Sequence, residues 1–161
     1  IRLTNWQSPH GDYDHMGEAI NLVNKFKKDN YNLEFLNTKI YDNENDSSNV
    51  IYTELDGYKF MFMGDAEAKK EKGILDKYNL RDIDVLKVGH HGSKTSSSKN
   101  FISKINTKYS IISVGKNNRY GHPNKEVLNN LSDSKIYRTD QDGSVMFKIK
   151  NNKLEIETCN P

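Results

Sequence analysis

Hydrophobic and polar positions in the first part of the chain change from a strand-like to a helical pattern. Leu3 to Gln7 is typical of the end of a strand, and Pro9 then enforces an extended or turn conformation. From Met16 to Lys28 apolar side chains recur at the spacing of one face of an amphipathic helix, at Ile20, Val23 and Phe26. Asn32 to Leu36 follows as a short predicted strand.

A β-hairpin is the clearest local prediction in the middle of the chain. Asp56-Gly57 separates the strand-like runs Val50 to Leu55 and Tyr58 to Met63, and both turn residues tolerate the positive φ of a two-residue hairpin. The preceding run, Asp42 to Asn49, is rich in Asn, Asp and Ser, so we interpret it as a surface loop.

Predicted helices and strands alternate over the remaining residues. The predicted helices are Glu67 to Tyr78, Phe101 to Ile105 and about Asn124 to Leu131. The predicted strands are Ile83 to Val88, Tyr109 to Val114 and the tail from Lys135 to Thr158, in which Asp142-Gly143 marks a turn. Because strands that alternate with helices pack as a sheet covered by helices, this order predicts an α/β fold.

Composition narrows the class of protein without identifying a partner. A length of 161 residues fits one domain, and the net charge of +2 neither favours nor excludes a polyanionic ligand. Cys159 is the only cysteine, which excludes a disulfide framework and a thiolate metal site. No apolar run of about 18 residues indicates a membrane span in this chain. Since the chain starts at Ile1 rather than Met, cytoplasmic and exported locations both stay open, as does a longer parent with a membrane region.

Candidate chemistry is concentrated in the segment from His10 to His15. In an extended segment, alternate residues point to the same side, so His10, Asp12 and Asp14 share one side and could bind one metal ion. His15, at the turn into the predicted helix, could be directed at a second metal ion. Imidazole and carboxylate donors at this density are typical of a metal site. The competing interpretation is a polar loop in which Asp14 only caps a helix.

Further polar side chains lie at three other strand-to-loop junctions. Asp65 follows the second strand of the hairpin, His90 and His91 follow the next predicted strand, and His122 lies in the loop after the third. Taken singly, each is most simply a turn residue or a loop histidine in water. Together with the first cluster they predict the distant donors of one metal centre.

Five sequence blocks, in order, resemble a known family. They are HGDYDHMG, MFMGDA, LKVGHHGSKTSSS, ISVGKNNRYGHPNKEVL and YRTDQDGSV. These blocks are similar to the metallo-β-lactamase-type domain of the ComEC competence protein family. The superfamily's usual first motif is His-x-His-x-Asp-His, and Asp12 matches the ComEC variant, which has Asp at the second ligand position. The resemblance implies an αββα sandwich, two sheets flanked by helices, with metal ions at its edge.

The resemblance also implies a set of ligands for two divalent ions. The implied ligands are His10 and Asp12 on one ion, Asp14 and His15 on the other, Asp65 bridging both, and either His90 or His91. The histidine of that pair that does not bind metal would orient a ligand or contact substrate. Zn and Mn are both consistent with these donors.

Two departures from the family pattern affect this expectation. The superfamily often has another His ligand before the bridging Asp, and here no His lies between His15 and His90. Either a carboxylate such as Asp42, Glu44 or Asp46 substitutes, or the first ion is held weakly. The strands expected before the first motif are missing, so we interpret residues 1–161 as one domain that is truncated or pared down.

The resemblance implies hydrolysis of a phosphodiester, with DNA as the substrate, as in ComEC-type DNA uptake. The expected nucleophile is a metal-activated hydroxide oriented by Asp14, with His122 protonating the leaving group. Alternative readings are a small-molecule ester or lactone hydrolase of the same superfamily and a degenerate, non-catalytic binding module.

Substrate contacts are predicted in the two loops that carry the later histidines. The predicted residues are Ser93, Lys94, Thr95, Arg119 and Tyr120, with Lys94 also supplying a cation to the reaction. Hydroxyls and helix N-terminal amides in the run Ser93 to Ser98 would complete an anion site. A flexible serine-rich loop with a capping residue is the alternative for that run.

Overall fold

The structure is a computed structural model that describes residues 2–3, 33–36, 38–39 and 41–159. The cluster His10, Asp12, Asp14 and His15 and the predicted helix Met16 to Lys28 lie outside the described residues. In the described part the chain has an α/β fold with a mixed sheet and four α-helices. The predicted fold class is therefore confirmed, and the αββα sandwich stays a prediction.

Nine strands form two sheets in the described residues. The strands are β1 (Arg2–Leu3), β2 (Leu33–Phe35), β3 (Ile51–Leu55), β4 (Tyr58–Phe62), β5 (Val85–Lys87), β6 (Tyr109–Ile112), β7 (Lys135–Arg138), β8 (Ser144–Lys150) and β9 (Lys153–Cys159). Strands β2 to β7 form one sheet in sequence order, and β1, β8 and β9 form the other with β8 in the middle. Strands β2, β3 and β4 pair antiparallel, whereas β4 to β7 run parallel to their neighbours.

Helices connect the parallel strands, as crossover connections require. Helix α1 (Ala68–Lys77) follows β4, α2 (Lys99–Ile105) follows β5, and α3 (Lys125–Asn130) follows β6, while the one-turn helix α4 (Thr139–Asp142) separates β7 from β8. The helices predicted from sequence agree with α1, α2 and α3. The hairpin prediction is also confirmed, because Asp56 and Gly57 join β3 to β4 with φ values of 48° and 81°.

Side-chain alternation along the strands of the large sheet creates two cores. One core lies on the helical face and includes Met61, Leu86 and Ile112 together with Ile74 of α1 and Phe101 of α2. The neighbouring strand residues face the small sheet, where Phe60, Val85 and Ile111 pack with Val145 and Phe147 of β8. The described residues thus form three layers, helices on the large sheet and the large sheet on the small one.

The C-terminal tail differs from its prediction in one respect. Asp142-Gly143 was expected as a turn between strands, but Thr139–Asp142 forms one helical turn, which ends at Gly143 with φ 68°. The hairpin turn between β8 and β9 is Asn151-Asn152, with φ values of 51° and 58°. Nothing in the pattern of apolar residues distinguished this Asn pair from the rest of a polar tail.

No helix in the described part of the chain is both long enough and apolar enough to cross a membrane.

Candidate functional site

The predicted later site residues lie at one edge of the large sheet. Strands β4, β5 and β6 are parallel neighbours, so their carboxyl ends meet at the same edge. Asp65 follows β4, His90 and His91 follow β5, and His122 lies in the loop after β6. The topology therefore brings these four side chains to one region, as the sequence predicted.

The turn that carries the two histidines has an unusual backbone. Gly89–Gly92 is a 3₁₀ turn in which His90 and His91 have φ values of 47° and 54°, in the left-handed region. Residues with a Cβ atom occupy this region at a cost of about 1–2 kcal/mol each. The His90 amide donates a hydrogen bond of 3.0 Å to the Gly64 carbonyl, which joins this turn to the loop carrying Asp65.

Gly92 allows this turn to touch the loop after β6. A Cβ atom at Gly92 would lie 2.7 Å from Cβ of Pro123, and φ at Gly92 is +80°. The Asn124 amide donates to the Gly92 carbonyl at 2.8 Å. Glycine is thus required at this position by both space and conformation, and the two loops are in direct contact.

The His91 ring is fixed by the backbone of the neighbouring strand end. Its Nδ1 lies 2.7 Å from the Ser113 carbonyl oxygen, which only accepts, so Nδ1 carries the proton and Nε2 has a free lone pair. Nε2 lies 3.9 Å from Oδ1 of Asp65, and the two side chains are 40% and 33% exposed. Burial, together with the nearby Lys87 ammonium, lowers the pKa of His91, so the ring is a neutral imidazole open to a ligand.

His90 instead faces a carboxylate network. Its Nδ1 lies 3.3 Å from Oε1 of Glu67, which also accepts hydrogen bonds from Thr95 Oγ1 at 2.8 Å and Asn45 Nδ2 at 3.1 Å. Burial acts to raise the pKa of Glu67, but the hydrogen bonds from Thr95 and Asn45 and the neighbouring His90 lower it overall. The two histidines therefore have different environments, a backbone carbonyl for His91 and a carboxylate for His90.

Glu71 of helix α1 binds the backbone of the serine-rich loop after this turn. Glu71 is 1% exposed, and its carboxylate accepts hydrogen bonds from the amides of Ser97 and Ser98, the latter at 3.0 Å. Burial raises the pKa of Glu71, and these hydrogen bonds oppose the shift. These two amides precede Lys99, the first residue of α2, so Glu71 fixes the loop that leads into the helix. The anion site in this run stays a prediction.

Side chains in the same loop divide into buried and exposed sets. Ser96 Oγ donates to the Gly89 carbonyl at 2.9 Å, and Ser93 Oγ lies 3.1 Å from Thr95 Oγ1. Lys94 and Thr95 are exposed. The predicted substrate contacts Ser93, Lys94 and Thr95 thus lie beside His90, and their role stays a prediction.

The loop after β6 presents the remaining predicted residues. Asn118 Oδ1 accepts hydrogen bonds from the amides of Tyr120 at 3.2 Å and His122 at 3.0 Å. The rings of His122 and His90 lie 6.0 Å apart, and burial together with His90 and His91 lowers the pKa of His122. A lowered pKa leaves His122 neutral at neutral pH, which weakens its predicted role as a general acid. Arg119 and Tyr120 are exposed.

The polar loop Asp42 to Asn49, predicted as a surface loop, also supports the site. Asp46 is 2% exposed and accepts the Lys70 amide at 3.2 Å, so its carboxylate caps helix α1. Asp46 was one candidate for the missing metal ligand, and its capping role argues against that interpretation. Asp42 and Glu44 are exposed. Ser48 Oγ accepts the Asp65 amide at 3.2 Å and so fixes the start of the Asp65 loop.

Three functional residues were missed from the sequence. Glu67 follows Asp65 by two positions, Lys87 interrupts an apolar strand, and Glu71 lies inside a predicted helix. Of these three residues, only Lys87 gave a signal in the sequence, as a charge inside an apolar strand. Its Nζ donates to the Val88 carbonyl at 3.1 Å. Burial lowers the pKa of Lys87, and the nearby Asp65 opposes this shift. Glu67 and Glu71 act through contacts distant in sequence, which no local pattern reveals.

Comparison with known proteins gives three informative relatives. The chain is 42% identical over 110 residues to ComE operon protein 3 of Bacillus subtilis (strain 168), covering 67% of this chain and 14% of that protein. It is 34% identical over 131 residues to Competence protein ComA of Neisseria gonorrhoeae, covering 78% of this chain and 19% of that protein. The chain is related to competence proteins. It is also 36% identical over 116 residues to Recombination protein 2 of Haemophilus influenzae, covering 71% of this chain and 14% of that protein.

These competence relatives are much longer than the stretch they share with this chain. The matched stretch spans 14%, 19% and 14% of their lengths. No family model matches the chain. The identities to these relatives confirm the predicted relationship to a competence family, while the metallo-β-lactamase domain and its chemistry stay predictions.

Proposed function

We propose that this chain is a metal-dependent hydrolase of the metallo-β-lactamase type that cleaves a phosphodiester, with DNA as the substrate in competence-linked uptake. The observation that carries the proposal is the pair formed by His91 and Asp65. A neutral imidazole with a free Nε2 faces a carboxylate oxygen at 3.9 Å, in a region accessible from outside. The relationship to competence proteins favours DNA over other phosphodiesters.

The donor chemistry of this pair fits a divalent metal ion. A separation of 3.9 Å is too long for a hydrogen bond, so no direct bond between these two donors competes with a divalent cation that both would hold. The hydrogen bond from His91 Nδ1 to the Ser113 carbonyl is the kind of contact that orients a histidine ligand. Of the two candidates left open by the sequence, His91 is thus the proposed ligand, and His90 is proposed to contact substrate.

The remaining ligands of the proposal come from the first cluster, His10, Asp12, Asp14 and His15, outside the described residues. Among the residues that the structure does describe, no three His, Cys, Asp or Glu side chains are close enough to hold one ion. The proposed centre therefore depends on this segment. When bound, a divalent cation supplies Lewis acidity, which activates water and neutralises charge on a phosphoryl oxygen.

Protein side chains around the proposed centre have separate tasks. Asp14 is proposed to orient the attacking water. Glu67 holds His90 by its Nδ1, and the Nε2 lone pair of His90 is proposed to accept a hydrogen bond from water or from a hydroxyl group of the substrate. The exposed cations of Lys94 and Arg119 are proposed to attract the phosphate backbone.

Metal analysis and turnover test the proposal directly. After expression with Mn or Zn, purified chain is expected to contain stoichiometric metal and to cleave single-stranded DNA and a bis-aryl phosphodiester. Asp65→Asn is expected to lose turnover, whereas Asp76→Asn, an exposed carboxylate on helix α1, keeps it. Equal rates for Asp65→Asn and the unmodified chain would remove the metal centre from the mechanism.

A further inference from the structure

Tyr120 exposes a large aromatic ring beside the candidate site. Its side chain is 73% exposed, whereas Phe35, the other large apolar side chain exposed in the described part of the chain, reaches 36%. Asn118 fixes the backbone of the loop that carries this ring. Its Oδ1 accepts the Tyr120 and His122 amides, and its Nδ2 donates to the His122 carbonyl at 2.5 Å. The loop therefore holds the ring towards the solvent at a fixed place.

Planar groups form a row from Tyr120 towards the candidate site. The Arg119 guanidinium lies 5.8 Å from the centre of the Tyr120 ring. The Tyr120 and His122 rings are 6.0 Å apart and nearly parallel, with 22° between their planes. The His122 and His90 rings are again 6.0 Å apart, at 62°. The planar groups thus follow one another from the exposed Tyr120 ring to His90.

The two loops at this surface carry Lys and Arg side chains, and the neighbouring carboxylate of Glu67 lies at the inner end, beside His90. Residues 113–125 contain Lys116, Arg119 and Lys125 and no Asp or Glu. Residues 93–99 contain Lys94 and Lys99 and again no acidic residue. A ligand that stacks on Tyr120 is therefore expected to carry negative charge next to its flat rings.

We propose that Arg119, Tyr120 and His122 form a stacking platform for a base of a single-stranded nucleic acid. Nucleic acid alternates a flat base with an anionic phosphate, which matches an exposed ring flanked by cations. In a closed duplex both faces of each base are covered by neighbouring bases, so the ring of Tyr120 has no face to stack on. The inference rests on the proposed function, because it specifies which form of DNA enters the site.

Binding without metal tests this platform separately from hydrolysis. The affinity of the chain for a labelled oligothymidylate is measured by fluorescence anisotropy in EDTA, where metal-dependent cleavage does not occur. Tyr120→Ala is expected to weaken this affinity by roughly 5- to 150-fold, the size of the base–aromatic contribution. Tyr120→Phe and Tyr120→Trp keep a ring and are expected to bind nearly as the unmodified chain does.

An abasic oligonucleotide of the same length is the matched control ligand. It has the phosphates but no bases, so Tyr120→Ala is expected to leave its binding unchanged, whereas Arg119→Ala weakens binding of both oligonucleotides. The platform is overturned if oligothymidylate does not bind, if Tyr120→Ala has no effect, or if that variant weakens both ligands equally. Ring-dependent binding without any metal-dependent cleavage would keep the platform and remove the proposed hydrolase function.

Discussion

Two parts of the candidate site differ in what holds their side chains. We call Asp65 and His91 the inner wall, and Lys94, Arg119 and Tyr120 the outer rim. The inner wall is joined by the strand ends themselves, because the Gly64 carbonyl accepts the His90 amide and the Ser113 carbonyl fixes the His91 ring. The rim lies on loops whose side chains point outward. The sheet thus sets the distances between inner groups, while the loops set what the rim can contact. Changes in the inner wall are expected to affect metal binding and chemistry, and changes in the rim to affect substrate affinity.

The largest expected effect comes from replacing His91. His91→Ala is expected to lower metal affinity and turnover by at least about 100-fold, since even residues behind a metal ligand change these by about 10- to 100-fold. His90→Ala is the matched change on the next residue, and it is expected to lower turnover while metal content, measured by elemental analysis, is retained. The reverse order would make His90 the ligand and contradict the assignment of the inner wall.

Thr139→Val tests whether the strand ends hold the inner wall. Thr139 is 1% exposed, and its Oγ1 bonds the amide and the carbonyl of Val114, each at 2.8 Å, next to the Ser113 carbonyl that holds His91. Leaving a buried amide without its acceptor is expected to lower the free energy of unfolding by about 1–3 kcal/mol. Urea denaturation measures this loss. Thr158→Val, at an exposed position of β9, is expected to change stability by less than about 0.5 kcal/mol, and equal losses for the two variants would contradict the argument.

Glu67→Gln tests the carboxylate that contacts Thr95 and His90, between the inner wall and the rim. The ionised carboxylate accepts hydrogen bonds from Asn45 and Thr95, and its replacement is expected to cost about 1 kcal/mol of unfolding free energy at neutral pH. Folding lowers the pKa of Glu67 from its ordinary value of 4.5. The stabilisation by the ionised carboxylate is therefore complete above pH 4.5 and is lost as the pH falls through the lowered pKa of the folded state.

Denaturation curves at neutral and acidic pH measure the change. The stability difference between Glu67→Gln and the unmodified chain is expected to shrink as the pH falls below 4.5. Glu44→Gln replaces an exposed carboxylate in the neighbouring loop; it serves as the control and is expected to change stability at neutral pH by less than about 0.5 kcal/mol. A difference that stays constant with pH would mean that ionisation of Glu67 does not stabilise the fold.

The smallest expected effect is on the rim. Lys94→Ala is expected to weaken single-stranded DNA binding a few-fold and to reduce the slope of log affinity against log salt by about 0.7, the value for one lost phosphate contact. Lys72→Ala, exposed on helix α1, is the matched control. An unchanged salt slope for Lys94→Ala would exclude a phosphate contact by this side chain.

How far the sequence predicted the fold depends on whether a local rule applied. The hairpin at Asp56-Gly57 was predictable because few residue pairs accept two positive φ values, and the alternation of strands and helices predicted the parallel half of the large sheet. The turn at Asn151-Asn152 was not recognised, because Asn was common in the polar runs taken as loops. The division into two sheets depends on contacts between residues far apart in the chain, which the pattern does not specify.

The candidate site divides in the same way. The sequence located Asp65, His90, His91 and His122 because each lies in the loop that follows a strand-like run. It could not distinguish His91 from His90, since the difference lies in the Ser113 carbonyl on one side and the Glu67 carboxylate on the other. The serine-rich run predicted an anion site, but no local pattern showed that the buried Glu71 carboxylate binds the Ser97 and Ser98 amides of that run.

The contact between Gly92 and Pro123 gives the site a thermodynamic consequence. Because the Gly92 backbone lies against Pro123 and the Asn124 amide donates to the Gly92 carbonyl, a shift of the turn that bears His91 is expected to shift the loop that bears Tyr120. Binding of a metal ion at His91 is therefore expected to alter the affinity of the Tyr120 loop for a DNA strand. Thermodynamic linkage requires the strand to alter the metal affinity by the same factor. A cation that tightens binding of a DNA strand tenfold would itself be bound ten times more tightly in the presence of that strand.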